Sequence, residues 1–112
     1  MSPPLVVLVT CPNARHAARL ARALLQRRLA ACVSLVPGVQ SLFWWEGRID
    51  QAREVLLMIK TSAACFESLR NAVVRRHPYD VPEILALPIR HGHRPYLRWL
   101  ASSLKEPSRL KK

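Results

Sequence analysis

The chain has 112 residues, a length for one domain, and half of them are hydrophobic, enough for a compact core. Charged residues make up 22%, too few for disorder throughout, and no apolar run reaches the roughly 20 residues of a membrane span. The net charge of +11, with 14 arginines among 18 cations, suits anionic partners, yet the cations are scattered over several elements, so nucleic acid is not the expected partner. Leu5–Val9 is a continuous aliphatic run and reads as a buried strand, and no basic stretch precedes it as a secretory signal requires, so a cytoplasmic protein is expected. Thr10-Cys11-Pro12-Asn13 ends the strand, and Asn13 is a natural N-cap for a helix from Ala14 to Arg28. In that helix Ala17, Leu20, Ala21, Leu24 and Arg28 share one side and Arg15, Arg19, Arg22 and Gln26 the solvent side.

Leu29 to Val36 reads as a second strand that Pro37-Gly38 breaks with a bulge before it resumes at Val39. From there Val39, Ser41, Phe43 and Trp45 fall on one face, and Gln40, Leu42 and Trp44 on the other. Large aromatics on both faces of a hairpin suggest a second chain covering one of them. Glu46-Gly47 is the turn. The return strand runs from Arg48 to Thr61, with a bulge expected in the polar Asp50–Arg53 segment. Its Val55, Leu57 and Ile59 face one way, and Leu56, Met58 and Lys60 the other. Thr61-Ser62 reads as the cap of a helix through Arg76, whose Phe66, Leu69, Arg70 and Val73 lie together and whose last turn carries Arg75 and Arg76. A final strand is expected within Ile84–Ile89, then a polar turn and a short helix opened by Pro95. Residues 105–112 read as a basic flexible tail on a single domain spanning 1–112. The order β-α-β-β-α-β plus a short helix is the ferredoxin-like α+β plan.

The chemistry concentrates in His77-Pro78-Tyr79-Asp80-Val81-Pro82-Glu83, a connector that two prolines hold out of helix at the mouth of the last strand. Its polar groups are either solvated or part of a site. Three cysteines, Cys11, Cys32 and Cys65, none in a CxxC, form neither a disulfide framework nor a zinc knuckle. They read as small buried hydrophobes or, in one or two cases, as soft ligands for copper or zinc beside His77. Such ligands must converge through the fold or between chains, with Glu83 and Asp80 completing or orienting the site. No GxGxxG, P-loop, HExxH or GxSxG occurs, and no nucleophile has an orienting partner, so an enzyme is not expected. Phe43, Trp44 and Trp45 could stack bases, but no RNP1-type string sits on a central strand.

Several of these stretches occur together in one order: Leu29-Ala30-Ala31-Cys32-Val33, Pro37-Gly38-x-x-Ser41-Leu42-Phe43-x-Trp45-x-Gly47, Glu54-x-Leu56-Leu57-Met58-Ile59-Lys60-Thr61, His77-Pro78-Tyr79-Asp80-Val81-Pro82-Glu83-Ile84 and Tyr96-Leu97-x-Trp99. In this arrangement the chain resembles the CutA family of divalent-cation tolerance proteins over about residues 5–102. The resemblance implies a ferredoxin-like subunit in a homotrimer built by strand pairing between chains. It also implies a link to divalent metals, Cu(II) above all. The residues it carries over as metal ligands are Cys32, His77 and Glu83, with Cys11 in addition; Lys60, Tyr79, Trp45 and Trp99 match cleft or interface positions. Phe43 stands where many members have Tyr, and Arg48 replaces a common Lys. A second reading is a trimeric signalling or scaffold protein with a small anion or a partner segment in the cleft between subunits, held by Lys60 and arginines.

Overall fold

In the computed structural model, residues 2–105 are described. Strand β1 (Pro4–Cys11) leads through α1 (Ala14–Gln26) to the hairpin of β2 (Cys32–Trp45) and β3 (Arg48–Ser62). Helix α2 (Ala63–Arg76) then precedes β4 (Leu85–Pro88) and α3 (Arg94–Ser102). The sheet order is β2-β3-β1-β4, antiparallel at every pairing, which is the ferredoxin-like α+β fold.

The register divides the sheet into two unlike faces. On one, Val7 and Val9 pair with Ile59 and Leu57 and pack with Ala17, Leu20, Ala21 and Leu24 of α1 and with Cys65, Leu69, Ala72 and Val73 of α2. On the other, the rows Val6-Lys60-Cys32, Leu8-Met58-Ser34 and Thr10-Leu56-Val36 run across β1, β3 and β2, with Leu87 and Leu85 extending the first two onto β4. Leu85, Leu87, Val36 and Met58 are all exposed there, so this second face is apolar and open.

Local structure follows the residues closely, with five instructive differences. First, α1 stops at Gln26, two residues early. Arg28 turns left-handed at φ 55°, and the N–H groups of Arg28 and Leu29 reach back to Leu25 O and Leu24 O. This is a Schellman ending in which buried Leu29 packs under the helix, so β2 begins at Cys32 and not at Leu29. Second, Ser62 occupies the N-cap of α2, but its side chain makes no capping bond. The first N–H groups are met by the N-terminal segment instead, Ala63 by Pro3 O at 2.8 Å and Ala64 by Ser2 Oγ at 2.7 Å. Third, the hairpin's irregularity lies only on β2, between Val36 and Val39, where Gly38 adopts φ 74°. The Asp50–Arg53 segment stays in register. Fourth, Arg70 lies outside the buried face of α2 and pairs with Glu67 at 2.9 Å, while Cys65 and Ala72 lie within that face. Fifth, Lys105 is tied down, its N–H donating to Arg28 O at 2.8 Å. The remainder of the expected tail, 106–112, lies outside the described residues.

The hairpin outgrows the core. Leu42, Trp44, Trp45 and Ile49 at its end are 59% to 74% exposed, and the molecule measures 48 × 31 × 25 Å.

Candidate functional site

The β3 strand enters the core at Glu54, where polar residues give way to an unbroken apolar stretch. Glu54 lies on the open face, at one end of the sheet, and is only 7% exposed. Tyr79 of the connector donates its hydroxyl to Glu54 Oε2 at 2.7 Å. His77 reaches the same corner because Pro78 forces it out of helix, to φ −80° and ψ 140°, just where α2 ends. Its ring is 8% exposed and bonded at both nitrogens. Nδ1 accepts the Tyr79 N–H at 3.1 Å, which places the ring proton on Nε2, and Nε2 donates to Thr10 O at 2.7 Å. The Cys11 sulfur sits 3.8 Å from the same Nε2, and the Tyr79 ring lies tilted against the imidazole with centroids 4.7 Å apart.

The electrostatics follow from burial. Removal from water, then the Glu54 carboxylate, pushes the Cys11 thiol up to about 11, so it stays protonated near neutrality. Burial and then the bond to Glu54 raise the Tyr79 phenol to about 12, which keeps it a donor.

In front of this cluster the open face of the hairpin and the connector enclose a cleft of about 760 Å³. Phe43 and Trp45 form its apolar side. Asp50, Glu54, Asp80 and Glu83 line it as well, four of the seven carboxylates in a chain of net charge +11.

Of the sequence-derived candidates, Cys11, His77 and Tyr79 come together, and Glu83, Tyr79 and Trp45 share the cleft. Cys32 does not join them. It pairs with Lys60, whose other partner is Val6, and Val6 lies four residues from Thr10, about 13 Å along β1. There it sits beside Tyr96, whose phenol burial and then Cys32 push upward. Lys60 donates to Ser34 Oγ at 2.7 Å and to Met58 O at 3.2 Å, and Trp99 is an exposed neighbour of Tyr96. Among the described residues no three His, Cys, Asp or Glu side chains are grouped to hold a metal ion. With both His77 nitrogens bonded and the Cys11 thiol 1% exposed, one chain does not fit a Cys/His metal site. Glu54 heads one of the stretches that carry the resemblance, yet it was not among the candidate site residues. Its signal was present as a charge at the head of an apolar run, on a strand where its neighbours on the same face are Leu56 and Met58.

The molecule is thus a ferredoxin-like α+β domain with an open apolar sheet face and an acidic, aromatic cleft at one end. Its sequence matches, over residues 5–103, the family described as CutA1 divalent ion tolerance protein, and the chain belongs to that family. It is 48% identical over 95 residues to the divalent-cation tolerance protein CutA of Thermus thermophilus, covering 85% of this chain and 92% of that one. It is 46% identical over 104 residues to a chloroplastic CutA 1 protein of rice, covering 93% of this chain but spanning only 59% of the rice protein's length. The solved structure of CutA1 from rice superposes with a TM-score of 0.91 at 46% identity, covering 94% of this chain and 96% of that one. No helix among the described residues is long and apolar enough to cross a membrane.

Proposed function

We propose that the chain assembles in the cytoplasm as a homotrimer that binds divalent cations, copper foremost, between its copies, and so serves cation tolerance without catalysing a reaction. The observation that carries this reading is the separation of its soft donors. Cys32 lies about 13 Å along the sheet from the corner holding His77, Cys11 and the cleft's Glu83. Copper favours Cys and His together, so an ion drawing on both Cys32 and His77 takes them from different copies and displaces one of the two hydrogen bonds that hold the imidazole. The open face supports such an assembly. A patch of exposed Met58, Leu85 and Leu87 invites a partner surface, as do the aromatics on both faces of the hairpin. A second reading, an anion held between subunits at Lys60, has in its favour that the ammonium bonds to two neutral oxygens.

The test is a competitive Cu(II) titration of the wild type beside Cys32→Ser/His77→Ala and Cys32→Ser/Glu83→Gln, with particle mass measured by light scattering on the same samples. The second variant alters accessible side chains only. Trimers whose affinity falls at least tenfold in the variants are expected. Unchanged affinity, or a monomeric wild type, would overturn the proposal, and a ligand response lost in Lys60→Ala but kept in Cys32→Ser would favour the anion.

A further inference from the structure

A second concavity lies on the helical side of the molecule, away from the cleft and from the open sheet face. It has a volume of about 340 Å³ and forms where the end of α1, one face of α2 and the C-terminal segment meet. Ser68, Asn71 and Arg75 follow one another along α2 at helical spacing, so they share a stripe facing this hollow. Ala72 between them is buried, and its small side chain leaves the depth that Leu29 floors from across the gap. Arg27 enters from the α1 terminus. Lys105 enters from the other side, held in place by its N–H bond to Arg28 O, by the Arg28 guanidinium on Ser103 O at 3.1 Å, and by buried Leu104.

We infer that this pocket is an anion site for a phosphate group carried by a small molecule. Three cations from three separate segments converge on it, with a hydroxyl and an amide as neutral donors between them. No carboxylate lines it among the described residues, and the nearest acid on α2, Glu67, is engaged by Arg70 at 2.9 Å. A tetrahedral dianion with several acceptor oxygens uses such a donor set fully, whereas a single carboxylate offers two oxygens to five groups. The negative end of α1 does not cancel the site, because the Arg27, Arg28 and Leu29 N–H groups already bond its last carbonyls. The volume holds a phosphate with a modest organic portion. The concave, single-site form distinguishes the pocket from the Arg15, Arg19 and Arg22 row of α1, which suits a long polyanion better.

The experiment is a titration of the full chain, isotopically labelled for amide NMR, with inorganic phosphate and with pyrophosphate at constant ionic strength. Saturable shifts grouped at Leu29, Ser68, Asn71, Arg75 and Lys105 are expected. Arg75→Gln and Arg27→Gln should each weaken the binding of pyrophosphate at least fivefold, and Arg19→Gln should leave it unchanged. Asn71→Leu, which keeps the charge and fills the hollow, should weaken it comparably. All four positions are exposed, so folding is not at stake. Shifts spread over every arginine row, equal effects of Arg75→Gln and Arg19→Gln, or no effect of Asn71→Leu would overturn the site. Displacement of pyrophosphate by duplex oligonucleotide with a steep salt dependence would reassign the surface to nucleic acid.

Discussion

The bond between Tyr79 and Glu54 is the most informative single contact at the cleft, and Tyr79→Phe removes it by deleting one hydroxyl. Glu54 is 7% exposed, and the Tyr79 hydroxyl at 2.7 Å is its one hydrogen-bond donor among the described residues. Hydrogen bonds to charged groups contribute about 1.5–3 kcal/mol net, and the half-exposed position of Tyr79 places this one near the lower end. Tyr79→Phe should therefore cost about 1.5 kcal/mol and lower the melting temperature by roughly 5 °C. The assay is equilibrium unfolding in guanidinium at pH 7 and one fixed chain concentration, since any assembly adds a mass-action term. A double-mutant cycle with Glu54→Gln isolates the pair, and a coupling of about 1.5 kcal/mol is expected. A coupling below about 0.5 kcal/mol would show that water serves Glu54 as well as Tyr79 does, and would remove the cluster's claim to fix the connector.

Two further outcomes follow from the same structure. Cys11 is raised from 9.0 to about 11 and Tyr79 from 10.0 to about 12. Both folded values exceed the unfolded ones, so the stability the two groups contribute is whole below about pH 9. It is lost as pH rises through 11 for Cys11 and from 10 through 12 for Tyr79. The guanidinium midpoint should fall over that window, less steeply between pH 9 and 11 in Cys11→Ala; a midpoint flat to pH 12 would contradict the burial of both groups. At the hairpin turn, Glu46 at φ 49° and Gly47 at φ 79° form a two-residue loop with both residues left-handed. Glu46→Asn, better suited to that backbone, should gain about 0.5 kcal/mol in the same unfolding assay, and a loss would refute the turn geometry.

The candidate site was legible in part. The prolines at 78 and 82 announced a stiff connector, and His77 and Tyr79 were visible as its chemical residues. Their partners were not, because Thr10 O and Glu54 belong to strands 67 and 25 residues away in sequence. Only the sheet order, which sets β1 beside β3, brings both under the end of α2. Cys32 shows the converse. Its motif marked it as a companion of His77, but register sends it to the opposite end of β1 and β3. At the start of α2 the cap position was legible and its hydrogen-bond partners were not, for a similar reason. Ser62 has the right side chain, yet a strand-to-helix corner closed by Pro3 and Ser2 supplies the donors' partners first.

What the order of residues settled is what depends on near neighbours. Aliphatic runs located the strands and alternation gave the faces of the hairpin, helical spacing placed the core sides of α1 and most of α2, and Pro37-Gly38 placed the bulge, since each is a property of a few consecutive side chains and the backbone beneath them; the continuous run of β1 read as buried throughout, whereas Leu5, Val6 and Leu8 are half-buried. Tertiary structure decided which carboxylate is buried, which histidine nitrogen keeps its proton, where the two clefts open and which donors stay apart within one chain. Those outcomes depend on register between strands far apart in the chain, and a register has no local signature: it is selected by the whole apolar face that it buries.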